Sequence, residues 1–321
     1  MRKPLLSLVF AAVTLPSLSV TAAQDPQQCQ AIRLADLGWA DNAANNGLTM
    51  AVAQAIGYKP TKTMVAVPIA LGSIQNGQLD AFLDYWSPSL DPTVMPAVEA
   101  GKLLKLMPPN LTGAKYTLAV PDYLAEQGLR TFQDLAKFKD QLGGKIYGIE
   151  PGSGGNSSLK KMISQNLYGL GDFKVVESSE SAMRMEVSRA IARKKPIVFL
   201  GWAPHPMNID FKMTYLSGGD DVFGPDYGAA TVYTVTAPDY AKRCPNAAKL
   251  IGNMKFNTDM ESEIMVGILD KKDPLKLATE WINNNPVWLE TWLSGVSTFD
   301  GKDALEAAKK YFDEQKLANR E

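Results

Sequence analysis

The segment "PIVFLGWAPHPMN", residues 196–208, opens as a near-continuous apolar run and stops at a tryptophan followed by two prolines. Apolar runs of this length are strands buried on both faces, and such strands belong to parallel sheets covered by helices. The rest of the chain repeats the theme. "AIRLADLGW" reads as a buried strand, then "NNGLTMAVAQAI" as a helix stopped at Gly57, "TKTMVAVP" as a strand, "IALGSIQNG" as a helix and "AFLDYW" as a strand. After "NLTGAK" the rhythm restarts. "YTLAVP" is followed by a helix from about Leu129 to Leu142, "KIYGIE", a helix from Asn156 to Tyr168, "FKVVES" and a helix from Ser179 to Lys194. From Tyr240 onward the pattern is mostly helical. Such alternation predicts an α/β architecture.

Residues 1–23 read as an export signal. Arg2 and Lys3 give a positive start, Leu5 to Val20 an apolar run broken by Pro16, and Val20-Thr21-Ala22-Ala23 a small-residue cleavage site. Without Arg2 and Lys3 the chain carries 31 basic residues (33 minus 2) against 34 acidic ones, a net charge of −3. No basic cluster with interleaved aromatics is present, so nucleic acid is not expected as a partner. What remains is longer than one hydrophobic core usually serves, and two lobes are expected. The spacing predicts a first lobe over 24–113, a second lobe over 114–211 inserted within it, and a return to the first lobe over 212–321. One crossing is expected near Gly113 and the other between 208 and 232.

Cys29 and Cys244 are the two cysteines, and in an exported chain they are expected to pair. The pairing would bring the chain back by residue 244 to the lobe in which it began. Closing so long a loop contributes at most roughly 5 kcal/mol by chain entropy.

Several predicted strands end on an aromatic residue. "DLGWAD" puts Trp39 and Asp41 past the first strand and "FLDYWSPS" puts Trp86 past the third. "AKYTLA" puts Tyr116 at the entry to the second lobe, and "FLGWAP" puts Trp202 at a strand exit. Ligands of open α/β sheets bind beside such strand ends. Rings converging there form a cage for a cation that cannot be hydrogen-bonded, each desolvated contact contributing about 1–2 kcal/mol. Asp84, two residues before Trp86, faces either the cleft or its rim. "EPGSGGNSS" lacks the spacing and the lysine of a phosphate-binding loop. It reads as a strand-to-helix turn capped by Ser153 or Asn156. His205 is the single histidine, held between Pro204 and Pro206, and no G-x-S-x-G motif accompanies it. A structural role beside Trp202 is expected of it. No metal or cofactor site is expected.

"GWAD", "DYWSPS", "AGKLL", "GAKYTLAVP", "GKIYGIEPGSGGN", "VVESSE", "PIVFLGWAPHPMN", "TYLSGGDDVFGP", "ESEIMVGIL" and "WLSGV" together resemble the choline- and betaine-binding proteins of bacterial ABC importers, most closely the choline-binding branch. The likeness runs from about residue 30 to 300. It implies the two-lobed periplasmic binding protein fold (type II-like), with ligand between the lobes. By resemblance the aromatic box falls on Trp39, Trp86, Tyr116 and Trp202, the acceptor of the choline hydroxyl on Asp41, and a further polar contact on Asn156. The Cys29–Cys244 pair also matches a disulfide of that branch. The implied function is periplasmic delivery of choline to a membrane permease with its cytoplasmic ATPase, by a monomer and without catalysis. Glycine betaine or carnitine is the alternative ligand, and an exported choline-ester hydrolase the remote one.

Overall fold

A computed structural model describes residues 24–318 of the chain; the expected export signal, residues 1–23, lies outside them. Ten strands form one ladder-connected sheet: β1 Ala31–Asp36, β2 Lys59–Met64, β3 Ala81–Ser87, β4 Leu104–Lys105, β5 Leu111–Pro121, β6 Lys145–Tyr147, β7 Lys174–Val176, β8 Phe199–Ala203, β9 Met213–Tyr215 and β10 Ala229–Thr236. The order is β2-β1-β3-β10-β5-β8-β6-β7, with β4 beside β10 and β9 beside β5. The outer thirds are parallel, β1 with β2 and β3, and β6 with β7 and β8. The middle is antiparallel, because β5 and β10 pair with each other and carry the chain in opposite directions. The sheet is therefore mixed and curls into two halves. One is built on β2-β1-β3, the other on β8-β6-β7.

The apolar runs give the expected cores. Ile32 and Leu34 of β1, Phe82 and Leu83 of β3, and Phe199 and Leu200 of β8 are fully buried. The first helix, Ala40–Ala55, begins five residues earlier than the apolar pattern suggests. Its opening "ADNAANN" is poor in helix formers, but tertiary contacts override that weakness. Asn42 Oδ1 accepts from Leu37 N at 2.9 Å, and Asn46 Nδ2 donates to Ala35 O at 3.0 Å. Gly47 lets this helix approach the Pro274–Asn284 helix, since a Cβ there would stand 2.6 Å from the Pro274 carbonyl oxygen. The expected 129–142 helix is instead a 3-10 segment, Phe132–Phe138, running into a short helix, Lys139–Leu142.

The helical tail packs on the β2-β1-β3 half and is fastened to its start. Cys29 and Cys244 are disulfide-bonded, with Cα atoms 5.5 Å apart. Beside the bond Asp25 caps the Pro245–Asn253 helix, accepting from Asn246 N and Ala247 N at 2.8 Å each. Tyr58 Oη donates to the same carboxylate at 2.9 Å. No described helix is long and apolar enough to cross a membrane.

Candidate functional site

One cavity between the halves is lined by Trp39, Asp41, Trp86, Ser89, Leu90, Tyr116, Ile149, Ser153, Gly154 and Trp202. Four of these are aromatic, and register explains how three of them meet. Tyr116 on β5 stands directly opposite Trp202 on β8 in an antiparallel pair, so both rings leave the sheet on one face. Their centroids are 5.9 Å apart at 81°. Trp86 ends β3 and lies 6.0 Å from Tyr116 on its other side. Phe223 backs Tyr116 edge-on at 6.2 Å, and Phe132 backs Phe223 at 5.7 Å. Trp39 closes the cage from the loop after β1.

Two of the three indoles are held by a carboxyl group, which fixes their planes. Trp39 Nε1 donates to Glu150 Oε1 at 2.8 Å, across the cleft from the turn after β6. Trp86 Nε1 donates to Asp84 Oδ1 at 3.0 Å. Trp202 carries the His205 ring against it, centroids 4.8 Å apart. His205 is buried, with Nδ1 accepting from Met207 N at 2.9 Å and Nε2 meeting Glu180 Oε1 at 3.1 Å. Both ring nitrogens are thus engaged. The four aromatic residues keep only 4–8% of their surface exposed, so the cage is shut.

The turn "EPGSGGN" forms the cavity floor. Ser153 caps the Gly154–Ser164 helix, accepting from Asn156 N at 3.3 Å. Gly154 passes so close to Ser89 that a Cβ would meet the Ser89 carbonyl, and a Cβ on Gly155 would collide with the Tyr116 hydroxyl. Gly154 thus lets a helix from one half reach the wall of the other, and Gly155 lets it pack under the Tyr116 ring. Asn156 lies behind this floor and does not line the cavity. Its Oδ1 accepts from Ile149 N at 3.0 Å, and its Nδ2 donates to Ile149 O, Glu150 O and Glu177 Oε1 at 2.8–3.1 Å. The structure therefore gathers five of the six expected contacts around one space, and places the sixth as a brace for the turn.

Among the lining residues there is an acid and no base. Asp41 sits in the first turn of the Ala40–Ala55 helix, 2% exposed, with Oδ1 lacking a hydrogen-bond partner. Burial, then the neighbouring Glu180 carboxyl, raises its pKa from 3.8 to about 7, although backbone N–H groups of that turn pull the other way. Asp84 and Glu261, buried behind it, are pushed well above the usual carboxylate range by the same loss of water and then by the charge of Asp41. Glu150 is raised by burial too. Sequence reasoning missed Glu150, Glu180 and Glu261. Their positions in ordinary-looking turns and helices gave no local signal, whereas Asp84 was visible through its spacing from Trp86.

Comparison with known proteins agrees with this geometry. Residues 30–284 match the family described as the substrate binding domain of an ABC-type glycine betaine transport system. A solved ABC-transporter choline binding protein in complex with choline is 46% identical, with a TM-score of 0.88 over 90% of this chain and 100% of that one. A structure of such a protein in an unliganded semi-closed conformation, also 46% identical, gives 0.81 over 89% of this chain and 99% of that one. A glycine betaine/carnitine transport binding protein from Listeria monocytogenes is 29% identical over 164 residues, 51% of this chain and 54% of that protein.

Proposed function

The chain belongs to the family of substrate-binding domains of ABC-type glycine betaine transport systems, and we propose that its own ligand is choline, held by cation–π contact and delivered to a membrane permease. The observation that carries this reading is a shut aromatic cage whose one lining carboxyl group is Asp41. A quaternary ammonium has no N–H to donate, so rings with negative faces are its natural partners. An alcohol on a short tail then finds Asp41 Oδ1, which no protein group satisfies. A charge-assisted hydrogen bond and a favourable field arise together.

Glycine betaine and carnitine share the ammonium but end in a carboxylate. Beside Asp41, the one acid among the lining residues, that carboxylate meets an acceptor of its own kind and no lining cation. The 46% identity to the choline-binding structure, and the higher superposition on its liganded form, support the same choice. Catalysis is not part of the proposal, because His205 has both nitrogens engaged away from the cavity. We place the mature protein in the periplasm, exported by residues 1–23, as a monomer whose partners are a permease and its ATPase. Titration with choline, acetylcholine, glycine betaine and carnitine, read by tryptophan fluorescence, tests the ligand assignment. Choline should bind at least tenfold more tightly than betaine or carnitine, and the reverse order would refute it.

A further inference from the structure

Glu180 begins the Glu180–Ala192 helix, behind Ser179, whose Oγ caps it by accepting from Ala182 N at 3.2 Å. Its side chain turns away from that helix toward the cleft. Oε2 accepts from Ala40 N of the opposite half at 3.0 Å, and Oε1 pairs with His205 Nε2 of its own half at 3.1 Å. Because Met207 N donates to His205 Nδ1, the ring proton sits on Nε2 and points at Glu180. Both partners of this carboxylate are donors.

Each partner leads to a wall of the cage. Ala40 follows Trp39 and opens a 16-residue helix, so its N–H is one of those with no acceptor inside the helix. A carboxylate there also meets the positive end of the helix dipole. His205 carries Trp202 on its face. Glu180 is 4% exposed yet does not line the cavity. One side chain therefore ties the neighbour of Trp39 to the support of Trp202 without reaching the enclosed space.

We propose that Glu180 is the closure latch of this receptor, a positioning residue that joins the two halves once the cage is assembled and slows ligand escape with no ligand contact of its own. The inference rests on the cage reading above. When the halves part, Ala40 N–H and the Glu180 carboxylate both return to water, so the bond between them favours the closed form alone. The Ala40 bond of Glu180 thus acts on escape rather than on entry, while its His205 bond stays within one half in both forms. Glutamine serves it poorly: its oxygen can accept from one partner, but its amide then faces the N–H of the other.

The test is stopped-flow tryptophan fluorescence with choline and with tetramethylammonium, which has no hydroxyl, on the wild type, Glu180→Gln and Glu180→Ala. Thermal midpoints without ligand are recorded alongside. The dissociation rate should rise about tenfold in Glu180→Gln and further in Glu180→Ala, the scale of one charge-assisted hydrogen bond. The factor should be equal for both cations, with association rates within about twofold, and the ligand-free midpoint should be unchanged in Glu180→Gln, whose oxygen can still accept from His205 Nε2. Unchanged dissociation rates would overturn the latch. So would a loss confined to choline, which would make Glu180 a hydroxyl contact, or a fall in the ligand-free midpoint of Glu180→Gln parallel to its faster dissociation, which would make it a folding residue. Wild-type protein that bound neither cation would remove the cage reading, and the latch with it.

Discussion

Asp41 carries the largest conflict at the scale of single residues: a buried carboxyl, an unpartnered oxygen and three further acids around it. A bound cation beside it resolves that conflict by favouring the ionised form. Asp41→Asn keeps the size and one acceptor but removes the charge. Choline binding should weaken by about 1.5–3 kcal/mol, the range for hydrogen bonds to charged groups. Betaine should lose less or gain, because a repulsion disappears. Calorimetry of both ligands on both proteins gives the ratio, and an unchanged ratio would take choline selectivity away from Asp41. Trp39, Asp41, Trp86 and Trp202 were legible in the sequence because they stand at or just past strand ends, whereas Tyr116 lies within β5 and joins them through its register with Trp202. Asn156 was legible as important but not in its role. Whether an amide faces a ligand or its own turn depends on backbone geometry that spacing does not encode, and here its four hydrogen bonds hold residues 149 and 150 and Glu177.

Among the elements, the Gly154–Ser164 helix, like the Ala40–Ala55 helix, has its start placed for the site. Gly155→Ala puts a methyl group against the Tyr116 hydroxyl, on a helix position that alanine itself favours. The collision should cost about 1–3 kcal/mol, as overpacking does, and shift Tyr116 in the cage. A lower thermal midpoint together with weaker choline binding is expected. A variant at least as stable and as tight as wild type would show that this close approach is not needed. The Cys29–Cys244 bond acts on a different element, the tail helices. Reduction should lower the midpoint by up to several kcal/mol in stability while leaving the ranking of ligands unchanged, since neither cysteine lies at the cavity. A changed ranking after reduction would contradict that separation. Helix ends were the least legible elements. "ADNAANN" hides a helix start that buried asparagines secure through Leu37 and Ala35, and only the assembled fold supplies those partners.

For the molecule as a whole, the acids behind the cage link stability to pH. The Asp41 pKa is higher in the folded protein, about 7, than in the unfolded chain, about 4. Its contribution to stability is therefore full below pH 4 and lost as pH rises through 7. Asp84 and Glu261, raised in the same direction, extend the loss upward. The ligand-free thermal midpoint should fall between pH 5 and pH 8, while the increment added by saturating choline should grow, because the ammonium favours ionised Asp41. A choline increment that shrinks over that range would mean the acids do not face the ligand. The two-half architecture was legible from strand and helix alternation, but the antiparallel centre was not. It arises where β5 and β10 pair over Leu111–Lys115 and Ala229–Val232, and pairing between segments more than a hundred residues apart leaves no local pattern. The central claim is that the cage recognises positive charge rather than shape. Calorimetric titration at pH 8 with choline and with its uncharged carbon isostere, 3,3-dimethyl-1-butanol, tests it most directly. The neutral alcohol should bind at least about a hundredfold more weakly, and comparable affinities would show the cage to be merely hydrophobic.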